Sequence, residues 1–159
     1  DIMETRNQKF KRLAESRMNR IFQNMNLIAN LSNRGQYYFT SQDIDELFTK
    51  YHQKGSEVKA YFQSELTISN NVKTSFYFEN SSDIDEINEV KRARFRRIAG
   101  TRMNRVFKDM RLIANLSNKT NYNYSEQDVD LLFDAYEEKG NEVYAHFAPL
   151  KEYFSFDGE

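Results

Sequence analysis

The sequence has no cysteine and no tryptophan, and only one proline and five glycines in 159 residues. Zero cysteines exclude disulfide frameworks and thiolate zinc sites, and fit a reducing compartment. One proline leaves long helices free to run without breaks. So few glycines leave no material for a glycine-rich phosphate loop or a nucleophile elbow, and neither motif occurs. No apolar run approaches the roughly 20 residues of a membrane span, and the first residues carry no signal-peptide core, so the expected location is the cytoplasm of a bacterial cell. The two histidines, His52 and His146, stand alone, and Glu-x-x-His does not occur. The residues around Asp45 to Glu57 resemble the entering helix of an EF-hand, but His52, Gln53 and Lys54 stand where the loop has to supply oxygens, so calcium is not expected. No cofactor, metal or catalytic residue is assigned, and the expectation is a protein that is not an enzyme.

What is present is a repeat. Residues 102–118, RMNRVFKDMRLIANLSN, restate residues 17–33, RMNRIFQNMNLIANLSN. The offset is a constant 85 positions, and residues 10–62 align with 95–147 without a gap, more than half of the positions being identical. Such agreement marks duplication of one folding unit. Charged residues make up 30% of the chain and the mean hydropathy is −0.84, values of a helical protein whose apolar residues are few but regularly spaced.

In the first copy Phe10, Leu13, Ala14, Met18, Ile21, Met25, Ile28 and Leu31 recur at steps of three and four, an apolar stripe on a helix of about residues 4–32. Asn33 and Asn118 stand where a left-handed residue would end that helix in each copy. Thr40 and Ser125, each with an acid three positions later (Asp43, Asp128), read as N-caps of a second helix. That helix carries Ile44, Leu47, Phe48 and Tyr51, with a break or kink expected at Gly55. Each copy is thus a helical hairpin with one apolar side left over. The expected fold is all-α: two tandem hairpins, residues 4–63 and 83–148, packed as a four-helix arrangement with pseudo-symmetry. Between them, residues 64–82 contain the β-prone Thr67, Ile68, Val72 and Phe76-Tyr77-Phe78, a possible short β-hairpin or an ordered linker. In residues 149–159 the aromatic theme returns in Tyr153, Phe154 and Phe156, either pairing with Phe76 to Phe78 or forming a separate tail.

Charge is segregated although the net charge is only −1. Residues 91–111 hold nine Lys or Arg against Asp109 alone, and residues 126–142 hold seven acids against Lys139 alone. A basic helix lying on an acidic one would explain this; so would a basic surface for phosphate. Arg94, Arg97, Arg105, Lys108 and Arg111 fall on the outward face of the second copy's long helix, where the first copy has diverged. With the acidic Asp134, Glu137 and Glu138 they form the candidate partner-binding set. No zinc finger, aromatic RNA-binding signature or short helix-turn-helix accompanies them, so sequence-specific DNA reading is not expected. Arg17 and Arg102 fall inside the apolar stripes and need partners; Asp43 and Asp128, at the head of the facing helix, are the expected ones, as structural ion pairs. Asn19 and Asn104 offer both a structural and a partner-contact reading.

The words Arg12-Leu13-Ala14-x-x-Arg17-Met18-Asn19-Arg20, Leu-Ile-Ala-Asn-Leu-Ser-Asn and Tyr122-x-Tyr124-Ser125-x-x-Asp128-Val129-Asp130 resemble a short helical domain of small bacterial, phage and mobile-element proteins. That resemblance implies a small helical unit and no transferable activity. A phage or mobile-element setting implies a binder of a bacterial protein or ribonucleoprotein, such as an anti-CRISPR-like inhibitor, with contact to an RNA or DNA backbone as the alternative.

Overall fold

The computed structural model describes residues 3–64, 71–148 and 153–158. It is all-helical. Four helices, α1 (Arg6–Ala29), α2 (Ser41–Gln63), α3 (Glu86–Ala114) and α4 (Glu126–Tyr144), pack on one another, and no strand occurs among the described residues.

The starts are set by side-chain caps. Thr5, Thr40 and Ser125 each accept from the amide three residues on, and Gln8, Asp43 and Asp128 return a hydrogen bond to the cap's own N–H. Asp85 caps α3. The ends of α1 and α3 differ from expectation. Neither Asn33 nor Asn118 is left-handed; each follows a single 3₁₀ turn with φ −68°. Their Oδ1 atoms accept from the N–H of Gly35 at 2.9 Å and Thr120 at 3.0 Å, so the side chain turns the chain and the backbone stays unstrained.

Residue for residue, an offset of 85 relates the two halves, but the helices exchange partners. α1 runs antiparallel to α3, and α2 antiparallel to α4; α1 also lies along α4, and α2 along α3. No comparable packing joins α1 to α2 or α3 to α4. Each hairpin is therefore open and closes on the other, forming an α1/α3 layer over an α2/α4 layer. At the pseudo-axis Tyr51 and Tyr136 stack with centroids 4.0 Å apart, and each hydroxyl donates to the other's carbonyl, at 2.6 and 2.7 Å. This stack explains Gly55 and Gly140. A Cβ would lie 2.7 Å from the Tyr136 ring at Gly55 and 2.4 Å from the Tyr51 ring at Gly140. Gly55 therefore provides room for a ring, and α2 runs through it without a break.

The expected β-hairpin is absent from the described part of the linker; Thr67 and Ile68 lie outside the described residues. Residues 71–80 form neither helix nor strand, and side chains of the neighbouring helices hold their backbone. Asn104 Oδ1 accepts from the Phe76 N–H, Glu46 from the N–H groups of Glu79 (2.6 Å) and Asn80 (3.2 Å). Lys54, Lys50 and Arg111 donate to the carbonyls of Lys73, Tyr77 and Val72. Val72 and Phe76 are buried in the core.

Candidate interaction surfaces

The expected ion pairs do not form. Arg17 donates to the Leu112 carbonyl at 2.7 Å, and Arg102 to the Leu27 carbonyl. Both acceptors lie in the last turns of α3 and α1, where carbonyls lack helical partners and the helix dipole favours a cation. Arg17 could not reach Asp43 because α1 and α2 do not pack together. Asp43 is claimed instead by α3: Arg92 donates to both its oxygens at 2.9 and 3.0 Å, and Arg96 donates at 2.7 Å. Asn80 completes the cluster. Burial by itself would raise the Asp43 carboxyl, but the hydrogen bonds from Arg92 and Arg96 outweigh it and hold the pKa at about 2. In the other half Asn7 and Lys11 occupy the places of Arg92 and Arg96. Asp128 therefore receives a hydrogen bond from Asn7 at 3.1 Å and a distant ion pair from Lys11 at 3.9 Å. Arg92 and Arg96 were missed as site residues because they read as members of a basic run; their spacing of four, with no arginine at either counterpart, was the available signal.

The basic set divides. Arg97, Arg105 and Lys108 are exposed, and no described residue pairs with their charged groups. Arg94 is exposed and touches the Gln36 carbonyl at 3.4 Å. Arg111 turns inward to hold the linker and does not join the stripe. Residues 94, 97, 105 and 108 fall within about 80° of helix circumference and run for about 21 Å. The same face of α1 is neutralised where α3 is not: Arg12 pairs with Glu4 at 2.8 Å, and Arg20 with Asp109 at 2.7 Å. The counterpart of Asp109 is Asn24, which bonds its own helix and leaves Arg105 without an acid.

Of the acidic set, Asp134 and Glu138 are exposed on α4, whereas Glu137 is engaged by His52 across the pseudo-axis. Because α3 and α4 belong to opposite layers, the basic stripe and the acidic face look away from each other. The sequence reading in which one neutralises the other does not hold. Asn104 anchors the linker, while its counterpart Asn19 lines an open groove of about 440 Å³ between α1 and α4. Among the described residues no group of three or more His, Cys, Asp or Glu side chains is placed to hold a metal ion, and no helix is long and apolar enough to cross a membrane. No family model, curated protein or solved structure matches the chain.

Proposed function

We propose that the protein is a non-catalytic binder that occupies a surface of a bacterial nucleoprotein complex, with the α3 stripe laid along nucleic-acid backbone. The reading rests on one observation: Arg97, Arg105 and Lys108 stand in a row on one helix with no described acid paired to them, the neighbouring Asp109 being taken by Arg20, while Glu4 and Asp109 pair with Arg12 and Arg20 on the duplicated face of α1. A row of about 17 Å matches roughly five base steps of one strand, and a helix offering only charge recognises phosphate without reading bases. The exposed acids Asp134 and Glu138 on the opposite layer leave a second face for the protein part of such a complex. A phage-encoded, anti-CRISPR-like inhibitor of a defence complex is the proposed setting, and its support is the sequence resemblance alone.

The test is binding of a fluorescent RNA or DNA duplex of arbitrary sequence by the whole protein across a salt series. Affinity is expected to fall with a log–log slope of about −3, one phosphate per cation. The variant Arg97→Glu/Arg105→Glu/Lys108→Glu should abolish most of that binding while keeping its helical circular dichroism. Binding that ignores salt, or survives the triple variant, overturns the backbone contact.

A further inference from the structure

The internal two-fold relates grooves as well as helices. The open groove between α1 and α4 is lined by Phe10, Ala14, Met18, Asn19 and Phe22. Their counterparts 85 positions on, Phe95, Ala99, Met103, Asn104 and Phe107, line the equivalent groove between α3 and α2. That groove is filled. The Phe76 ring packs on Phe107 (6.2 Å) and the Phe76 N–H is held by Asn104; the Phe78 ring packs on Phe95 (6.1 Å) beneath Arg96 (5.0 Å). The filling segment is Phe76-Tyr77-Phe78-Glu79-Asn80, arriving from the end of α2. Beyond the end of α4 the chain reads Phe154-Ser155-Phe156-Asp157-Gly158, the same Phe-x-Phe-acid order.

We propose that the α1/α4 groove is a binding site for an extended Phe-x-Phe-acid segment, and that its occupant is residues 154–158 of this chain. Three observations carry this beyond the symmetry. The two Phe rings are 73% and 96% exposed and touch each other, so docking removes them from water. The chain can reach: Phe147 holds the packing place of Phe62, against Phe48 and Phe95 as Phe62 lies against Phe133 and Phe10. From there the seven residues to Phe154 extend up to about 23 Å, against about 18 Å of helix to retrace. The groove also differs from its twin in the way the segment differs from the linker. Glu46, which holds the Asn80 side chain, and Lys50, which holds the Tyr77 carbonyl, are replaced by Leu131 and Ala135. The segment correspondingly has Gly158 where the linker has Asn80, so the side-chain amide that Glu46 accepts from has no counterpart there. On docking, Leu131, 64% exposed in the open groove, becomes a contact, and Lys11, which stands in the place of Arg96, would meet Phe156 as Arg96 meets Phe78.

The test exploits the absence of cysteine. A nitroxide is placed on Ser155→Cys in the full chain, and the methionine methyl signals of Met18, in the open groove, and Met103, its twin beneath the linker, are compared by NMR. Docking predicts that Met18 loses most of its intensity while Met103 keeps it, and that adding Leu131→Glu, a change at an exposed position, restores Met18. Equal effects on the two methyls, or a Met18 signal indifferent to Leu131→Glu, overturn the proposal. So does equal broadening in a mixture of spin-labelled and isotope-labelled copies, which would assign the segment to a second molecule.

Discussion

At the residue scale the two halves part company at one carboxylate. Asp43 is fully buried between Arg92 and Arg96, whereas Asp128 in the same capping role sees only Asn7 and a distant Lys11. Asp43→Asn strands a guanidinium in the interior and is expected to cost about 3–5 kcal/mol, while Asp128→Asn should cost about 1 kcal/mol, mostly the cap. Urea unfolding of the two variants checks the difference. The depressed pKa makes Asp43 a source of acid lability. The folded carboxyl titrates at about 2 and the free one at 3.8, so between these values the unfolded chain binds more protons. The stabilisation is complete above about pH 5 and drains away as pH falls toward 2, a loss of about 2 kcal/mol. Denaturant midpoints measured from pH 5 to 2 should show this slope in the natural protein and a shallower one in Asp43→Asn, where Glu46 and Asp128, also held below the usual carboxylate range by their hydrogen bonds, remain.

At the scale of elements, helix starts were legible and helix neighbours were not. Thr40 and Ser125 with their acids three residues on specify a local hydrogen-bonding pattern that the structure reproduces. Gly55 looked like a break because glycine is a poor helix former, and only the ring of Tyr136 arriving from the other copy explains it. Three glycines therefore separate cleanly. Gly55→Ala and Gly140→Ala drive a methyl into a stacked ring and should each cost about 2 kcal/mol or more through overpacking. Gly100→Ala, with nothing within 4 Å of the added carbon, should stabilise α3 by up to about 1 kcal/mol. Thermal melts of the three variants decide this. The linker makes the same point: its β-prone residues read as a short hairpin or an ordered linker, and a sequence does not say that the backbone of residues 71–80 is held by side chains of two helices, Glu46 of α2 and Asn104 of α3.

For the whole molecule the exchange of partners matters most. Since α1 packs on α3 and α4, and α2 on the same two, the repeats are linked by their interiors as well as by the chain. A protease site inserted after Ser64 and cut should leave both fragments in one particle on gel filtration, with helical content retained, and dissociating only on unfolding. Separation of the fragments without denaturant would refute the interleaved packing. The same interleaving keeps the basic stripe of α3 and the acids of α4 on opposite layers, which gives the proposed binder two chemically distinct faces.

The sequence by itself determined the four helices, the N-caps of α2 and α4, the duplication and the apolar stripes, because these depend on periodicity, on contacts within a few residues and on comparison of the two copies. Tertiary structure alone decided which copy supplies each partner: that Arg92 and Arg96 hold Asp43, that Arg17 and Arg102 cap the opposite helix, and that Glu4 and Asp109 silence α1 while α3 stays bare. The physical reason is that the apolar stripes of the two copies are nearly the same, so burial is satisfied by closing each hairpin on itself or on its twin. The choice falls to longer-range features, the Tyr51–Tyr136 stack admitted by two glycines and the buried cluster around Asp43, whose members are distant in the chain.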